Sequence, residues 1–319
     1  MNTQNSIQLI GTDCLKPKRT CLIAADAFVL ASSPGTKKTI KGKKDGNEDC
    51  LAIHKDRGGT LFAICDAHFG IASAKTTLKI IPSLVHLLNK NPALRLFKAH
   101  YTLDETIRAM NETAQTHSAT TCIHAFHTEN SLTWVSTGDS SLYIIRGNSI
   151  LPLTSRMPPL FLGEFQSRIE QKYEEFHFTN GFYENKTLSI YFYFWMSHIC
   201  SLANENRLDE STLSAILNEL EAKSGVQFNG SLKSLTKPWH EVNTTTYRNI
   251  PEWGKTLTKD GDILLGITDG ISDSYDSCEK LLDTMLNTLP DLTLTAKSLL
   301  AGSLEKGGLD NASVLMALL

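Results

Sequence analysis

Four aspartates stand at widely separated points of the chain, and each has a setting that suits a metal ligand. They are Asp49, Asp66, Asp269 and Asp310. The last three lie beside apolar runs typical of buried strands, at residues 61–65, 263–267 and 313–317. A strand that ends in a carboxylate delivers it to the rim of a sheet, where several such groups form a negative patch that needs cations. Hard oxygen ligands select Mg²⁺ or Mn²⁺, and two such ions can activate a water and hold a phosphoryl group.

The elements that must position these groups are indicated by hydrophobic periodicity. Strands are predicted at 21–31, 49–55, 60–66, 119–127, 131–137, 141–146, 149–153, 262–268 and 313–318. Helices are predicted at 70–89, 103–117, 209–223, 275–288 and 292–304. A capping box of Thr102 and Glu105 would begin the second helix. Consecutive strands joined by short turns favour antiparallel sheets with helices outside. We therefore predict an α+β fold, a four-layer αββα sandwich of two antiparallel β-sheets flanked by helix pairs.

The composition is that of an ordinary globular protein, with 319 residues, 41% hydrophobic, 20% charged and a net charge of −3. The charge is nearly balanced, so it does not indicate nucleic acid or a membrane as a partner. Residues 16–33 favour a strand over a signal peptide, because Asp26 interrupts the apolar run. The aromatic run Leu188–Cys200 is too short to span a bilayer and is predicted to belong to the core. Seven cysteines without a CxxC pair suit a reducing compartment, so we expect a cytoplasmic protein. We also expect it to be a monomer.

Other phosphoryl- and acyl-transfer motifs are missing from the sequence. No cysteine is followed by five residues and an arginine, as a Cys-nucleophile phosphatase would require. Gly42-Lys43 lacks the earlier glycine of a P-loop, and there is no GxSxG elbow. His124 and His127 could suggest a ligand pair, but their odd spacing on a strand places them on opposite faces. They are therefore rejected as a metal site.

Five short motifs follow one another along the chain, each beside a predicted strand. They are Asn47-Glu48-Asp49, Asp66-Ala67-His68-Phe69-Gly70, Gly138-Asp139-Ser140, Thr268-Asp269-Gly270 and Asp310-Asn311. Each motif alone is weak, since Asp-Gly and Asp-Asn are common turn formers. In this order they resemble the motifs of the PP2C (PPM) family of metal-dependent protein serine/threonine phosphatases. The resemblance covers roughly residues 20–319, and it implies an antiparallel β-sandwich flanked by helices, in agreement with the periodicity.

The resemblance also implies a metal centre of two Mg²⁺ or Mn²⁺ ions. The ligands carried over are Asp49, Asp66, Asp269, Asp310 and the backbone carbonyl of Ala67. Asp139 and Asp269 would be candidates for a third, weaker metal position. By itself, Asp139 fits a structural turn as well as a metal site.

The implied reaction is hydrolysis of phosphoserine or phosphothreonine in proteins by a metal-bridged hydroxide. Asp66 would hold metal at the reaction centre, and His68 would act as the general acid that protonates the leaving alkoxide. Lys44 stands five positions before the first aspartate, where many family members have a basic residue that grips the substrate phosphate. A phosphorylated protein is therefore the expected partner.

Departures from the family pattern leave other functions open. Ala67 and Phe69 replace glycines, and Phe69 could narrow the mouth of the site. Lys44 stands where arginine is usual and offers a point charge in place of a planar fork. These changes favour an alternative, a weak or inactive pseudophosphatase that acts as a binding or regulatory module. A hydrolase of a small phosphoester is a third hypothesis.

The expected domain organisation is an N-terminal extension at 1–20 and a PP2C-like domain at 21–319. Residues 155–255 form a divergent segment whose two ends both start near the predicted metal site. We expect this segment to border the cleft and to select the substrate or partner. Its helix at 209–223 would pack on the body through Leu213, Ile216, Leu217 and Leu220.

Overall fold

Two antiparallel β-sheets packed face to face, with helices on both outer sides, make up the described part of the protein. The computed structural model describes residues 6–14, 20–36, 44–56, 58–85, 88, 91–154, 209–224, 251–308 and 310–319. The strands are β1 (Ser6–Ile10), β2 (Cys21–Ala25), β3 (Phe28–Ser33), β4 (Asp49–Asp56), β5 (Gly59–His68), β6 (Ala119–Thr120), β7 (Cys122–Thr128), β8 (Ser131–Thr137), β9 (Ser141–Arg146), β10 (Ser149–Pro152), β11 (Glu252–Leu257), β12 (Ile263–Ile267) and β13 (Ala312–Leu318). The α-helices are α1 (Ala72–Val85), α2 (Pro92–Ala114), α3 (Glu210–Ser224), α4 (Asp269–Ser272), α5 (Cys278–Leu286) and α6 (Leu292–Glu305), and a 3₁₀ turn spans Gly11–Asp13.

Each sheet combines pairs of consecutive strands with strands from distant parts of the sequence. In the first sheet the order is β1-β4-β5-β7-β8-β11, with the short β6 paired to the end of β5. In the second the order is β10-β9-β12-β13-β3-β2. The two sheets thus bring β4 and β5 on one side opposite β12 and β13 on the other, and these four strands lead to or from the predicted aspartates.

Period-two alternation divides the apolar side chains into separate cores. Leu51 and Phe62 belong to the core between the sheets, whereas Cys50 and Leu61, one residue away, belong to the core between the first sheet and its helices. A third core lies between the second sheet and α4, α5 and α6. The layers therefore run helix, sheet, sheet, helix, which confirms the predicted αββα sandwich.

The predicted helix at 209–223 is confirmed as α3, spanning Glu210–Ser224. Leu213 and Ile216 are buried in the core that α1 and α2 form with the first sheet. The side chains of Leu217 and Leu220 lie outside the described residues. So do the predicted core run Leu188–Cys200 and most of the divergent segment.

Helix α2 begins eleven residues earlier than predicted, at Pro92. Asn91 is its N-cap and accepts a hydrogen bond from the Leu94 amide, and Pro92 occupies the first turn. Proline suits this position, because its missing N–H would be unpaired there and its φ angle is already helical. The predicted capping box at Thr102 was wrong: Thr102 lies inside the helix, where its carbonyl accepts from the Thr106 hydroxyl.

Other differences occur at sheet edges and in the N-terminal region. The predicted strand 21–31 is a hairpin of β2 and β3 that turns at Asp26-Ala27. Strand β1, within the expected N-terminal extension, and β11, at the end of the divergent segment, had no clear periodic signal. Cys14 and Cys21 form a disulfide with Cα atoms 5.6 Å apart, a pairing that the sequence pattern did not predict. Among the described helices, none combines the length and apolar character that crossing a membrane requires.

Candidate metal centre and catalytic site

Asp49 and Asp66 lie directly opposite each other on β4 and β5. Alternation along the strands puts Asp49 on the same face as Leu51 and Asp66 on the same face as Ile64, which is the face that packs on the second sheet. Both aspartates are almost fully buried, at 0% and 1% exposure. Side chains at directly paired positions lie within about 5.5 Å of each other at Cβ. The pair therefore concentrates negative charge at the end of the cleft between the sheets.

Asp269 joins this pair from the second sheet. Strand β12 ends at Ile267, and Asp269 is the first residue of the short helix α4. The preceding Thr268 connects the two sheets, because its hydroxyl donates to Oδ2 of Asp49 at 2.9 Å and accepts from the Ser313 amide at 3.0 Å. This link fixes the position of Asp269, two residues after the end of β12.

Asp139 approaches from the turn between β8 and β9. Gly138, with φ of 108°, allows this turn, and the neighbouring Ser140 hydroxyl lies 2.9 Å from that of Thr121. Thr121 in turn accepts from the Asp66 amide and donates its own amide to the Asp66 carbonyl. One carboxylate oxygen from each of Asp66, Asp139 and Asp269 lies within 4.8 Å of the other two.

The Asp310-Asn311 segment is held against Asp269-Gly270. Gly270 packs so closely on Asn311 that a β-carbon on Gly270 would come within 2.0 Å of the Asn311 carbonyl oxygen. Only glycine leaves room for this contact. The Asn311 amide also joins separate loops: its oxygen accepts from the Glu48 amide, and its nitrogen donates to the carbonyls of Pro34 and Gly46. Asp310 is half-buried, and its Oδ1 accepts from the Asn311 amide at 2.6 Å.

The last residue of β5, His68, is the candidate general acid. Ala67 is buried and pairs with Thr120 of β6. The side chain of His68 is 21% exposed, and its Nδ1 lies 3.7 Å from Oδ1 of Asp66. Phe69 is 42% exposed, with its ring centre 6.3 Å from that of His68. Phe69 therefore lies at the surface beside the histidine.

Glu48 had no assigned role in the sequence, yet it organises the rim of the site. It is fully buried. Its Oε1 accepts from the amides of Lys44 and Asp45, and its Oε2 accepts from the Gly70 amide at 3.1 Å. Glu48 thus ties the backbone of Lys44 to Gly70, two residues after His68 at the end of β5. The sequence signal for this role was the acidic residue directly before Asp49.

The carboxylates fit hard divalent cations. Every side chain in the cluster of three offers oxygen, and the opposed Asp49 adds another carboxylate beside Asp66. Oxygen donors at this density match Mg²⁺ or Mn²⁺ far better than zinc or copper. Ala67 directly follows Asp66 on β5, and Asp310 directly precedes Asn311, which packs on Gly270 beside Asp269.

Solved structures of other proteins have the same architecture. No protein-family model matches the sequence, and no curated protein matches it significantly. The structure is similar to the Mycobacterium tuberculosis serine/threonine phosphatase PstP/Ppp, with 19% identity, a TM-score of 0.51 and coverage of 92% of this chain and 97% of that one. It is similar to the catalytic domain of PstP in complex with two manganese ions, with 18% identity, a TM-score of 0.50 and coverage of 94% and 99%. A serine/threonine phosphatase of S. agalactiae matches with 15% identity, a TM-score of 0.52 and coverage of 94% and 99%. The chain therefore has the fold of these serine/threonine phosphatases, as the resemblance to the PP2C family predicted.

Proposed function

We propose that the protein is a metal-dependent phosphatase that hydrolyses phosphoserine or phosphothreonine in proteins. The observation that carries this proposal is the convergence of the Asp66, Asp139 and Asp269 carboxylates at the end of the inter-sheet cleft. Asp49, directly opposite Asp66, supports it. The same fold is found in solved serine/threonine phosphatases, one of them a manganese complex.

Two Mg²⁺ or Mn²⁺ ions would be held by Asp49, Asp66, Asp269, Asp310 and the carbonyl of Ala67, with Asp139 and Asp269 available to a third. When bound, the ions would supply an activated water and neutralise the charge on the phosphoryl group. Without that compensation, the anionic ester repels nucleophiles and is hydrolysed extremely slowly.

The protein's own side chains would complete the reaction. His68, with Nδ1 3.7 Å from Asp66, is close enough to the acidic centre to protonate the departing serine or threonine oxygen. Lys44 would attract the substrate phosphate, since Glu48 ties the Lys44 backbone to Gly70, two residues after His68. We place the protein in the cytoplasm as a monomer. The free buried thiols of Cys50, Cys65 and Cys122 support a reducing compartment, whereas the Cys14–Cys21 disulfide counts against it.

The rival function is a pseudophosphatase that binds phosphoproteins or regulates them without rapid turnover. The specific observation in its favour is the exposed Phe69 ring beside His68, which would restrict the approach of a bulky substrate. The two functions predict different behaviour towards a small aryl phosphate, which needs little room.

The test is hydrolysis of an aryl phosphate and a phosphoserine peptide, each with and without Mn²⁺. A phosphatase should show turnover that depends on Mn²⁺, and Asp269→Asn should reduce it by about 100-fold or more. The matched control is Asp260→Asn, because Asp260 is an exposed aspartate outside the cluster. Absence of Mn²⁺-dependent turnover on both substrates would reject the phosphatase and leave the pseudophosphatase.

A further inference from the structure

Two histidines and a cysteine form a second cluster, which the proposed phosphatase chemistry does not use. His100 lies in the middle of α2. Cys122 and His124 stand two residues apart on β7, so both face the helices that cover the first sheet. All three residues have 0% exposure. The cluster is thus sealed beneath α2, on the opposite side of the sheet from the acidic cleft.

The distances in this cluster approach those of a metal site. Its ligand atoms lie within 4.8 Å of one another. Nδ1 of His124 is 2.9 Å from Nε2 of His100 and 3.5 Å from Sγ of Cys122. Around tetrahedral zinc, with bonds of about 2.0–2.3 Å, neighbouring ligand atoms are about 3.3–3.8 Å apart. An ion could therefore enter by replacing the hydrogen bond between the imidazoles, with a shift of about half an ångström.

The surrounding groups suit ligation. Nδ1 of His100 is 2.9 Å from the Thr137 hydroxyl, and this contact orients the ring so that Nε2 points to the cluster. A hydrogen bond of that kind commonly orients metal-bound histidines. Sγ of Cys65, on the neighbouring strand β5, lies 3.9 Å from Sγ of Cys122. It is not one of the three ligand atoms that lie within 4.8 Å of one another, so it would serve as a fourth donor only after its side chain shifts towards the ion.

Burial also keeps the histidines in the form that binds metal. It lowers the pKa of His124 to about 4 and lowers the pKa of His100 well below its ordinary value. Both imidazoles are therefore neutral at physiological pH, and a neutral imidazole has a free lone pair. Two imidazoles and a thiol prefer a borderline ion such as zinc, whereas the all-oxygen cleft prefers Mg²⁺ or Mn²⁺.

We propose that His100, Cys122 and His124 form a structural site for one ion of the zinc class, with Cys65 as the fourth ligand. The ion would fasten α2 to β5 and β7, and through Thr137 to β8. Strand β5 continues from Cys65 into Asp66, and β8 ends at Thr137, two residues before Asp139. The site would thus stabilise the strands that deliver two of the cleft aspartates, and it stands whether or not the cleft hydrolyses phosphoesters.

The competing explanation is a metal-free chain of hydrogen bonds. Thr137, His100, His124 and Cys122 can be linked in that order by alternating donors and acceptors. Such a chain would satisfy the buried ring nitrogens by itself. The two explanations differ in whether the protein retains a thiolate-bound metal.

The full chain should be produced in medium in which Co²⁺ is the added transition metal and then washed with a chelator. The wash strips the open acidic cleft but not a sealed site. We expect about one equivalent of retained cobalt and a near-ultraviolet thiolate-to-cobalt absorption, since one closed tetrahedral site is proposed. X-ray absorption should report sulfur and nitrogen neighbours. Protein without retained cobalt and without this absorption would overturn the proposal.

Matched variants locate the ion. Cys122→Ser and His100→Gln should lose the absorption, whereas Cys278→Ser and His127→Gln should retain it, because these two residues lie outside the cluster. Absorption that survives both Cys122→Ser and His100→Gln would also overturn the proposal. If these variants fail to fold, the sulfur signal in the X-ray absorption spectrum of the unaltered protein decides.

Discussion

His68 is the side chain whose role can be separated most cleanly from that of the metals. It lies at the rim of the cleft and is partly exposed, with Nδ1 3.7 Å from the buried Asp66. A general acid matters most when the leaving group is a poor one, as the alkoxide of serine is. An aryl oxide leaves without much help from a proton.

His68→Ala should therefore lower kcat on a phosphoserine peptide by about 100-fold or more, and by less on an aryl phosphate. Lys44→Ala provides the contrast. A residue that binds the phosphate acts in the ground state and the transition state alike, so its loss should mainly raise KM. Steady-state kinetics on both substrates check these expectations. Equal losses of kcat on the two substrates would count against His68 as the acid.

Phe69 combines an exposed ring with a backbone angle that favours glycine, φ of 61°. Phe69→Gly should relieve strain of about 1–2 kcal/mol, which the greater chain entropy of glycine offsets by about 0.5–1 kcal/mol. The melting temperature should consequently change little, while kcat/KM on a phosphopeptide should rise several-fold and that on an aryl phosphate should not.

Gln115→Gly is the matched control for that experiment, because Gln115 also has a positive φ, of 52°, but caps the far end of α2. It should leave the kinetics on both substrates unchanged. If Phe69→Gly slowed both substrates, the ring would be part of the site and not an obstruction at its mouth.

At the scale of elements, an ion pair between the partly exposed Arg146 and the buried Asp262 joins the end of β9 to the residue before β12. Arg146 donates from Nε and Nη2 to the two carboxylate oxygens of Asp262, at 2.8 and 2.6 Å. The Lys259 amide donates to the same carboxylate. The hydrogen bonds from Arg146, followed by that from Lys259, lower the pKa of Asp262 below its ordinary value of 3.8.

Because the folded pKa is the lower one, the unfolded chain binds this proton more readily. The contribution to stability is therefore complete above about pH 4 and is lost as the pH falls through the folded pKa. Asp262→Asn should lower the melting temperature by about 2 °C or more at pH 7. The difference in melting temperature between the variant and the unaltered protein should become smaller below about pH 4. Thermal unfolding between pH 7 and pH 3 measures this, with Asp260→Asn as the control. A gap that stays constant down to pH 3 would contradict it.

The elements that could be predicted from sequence are those with strong periodicity. Asp66 was found because it follows an apolar run, and Asp49 stands at the start of the predicted strand 49–55. The antiparallel pairing of these strands, with their alternation, then gives both aspartates the same face. The prediction that His124 and His127 lie on opposite faces of their strand was also correct. His127 contacts Thr258 at 3.1 Å, on the other face of β7. The two-sheet sandwich followed from the same alternation.

What could not be predicted depends on tertiary contacts. His100 meets His124 across a helix–sheet interface, and nothing in the local pattern of α2 marks it. Glu48 acts through backbone amides of two loops, which no side-chain motif records. Strand β11 has exposed and half-exposed positions along its length, and it exists because β8 offers it an edge.

For the molecule as a whole, the acidic cleft sets a balance between charge repulsion and metal binding. Opposed carboxylates such as Asp49 and Asp66 destabilise the metal-free fold, and a bound cation reverses this. Metal-free Asp66→Asn should therefore be no less stable than the unaltered protein. Mn²⁺ at 100 times its Kd should stabilise the unaltered protein by about 2.7 kcal/mol and the variant much less.

Thermal unfolding with and without Mn²⁺ tests this, and Asp260→Asn should respond to the ion like the unaltered protein. If Asp66→Asn gained as much from Mn²⁺ as the unaltered protein does, Asp66 would not belong to the metal centre.

Strand β1 has a consequence for how the protein behaves when its N-terminal region is shortened. β1 is the outermost strand of the first sheet, and it pairs along β4 from Ser6 opposite His54 to Ile10 opposite Cys50. Without β1, the backbone amides and carbonyls of β4 would form an open sheet edge, along a strand whose first six residues are buried. Open apolar edges recruit strands from other molecules. A chain that begins at residue 15 should therefore aggregate, and light scattering should detect this at concentrations where the full chain stays dispersed. If the shortened chain stayed dispersed as well, β1 would not be what keeps β4 from pairing between molecules.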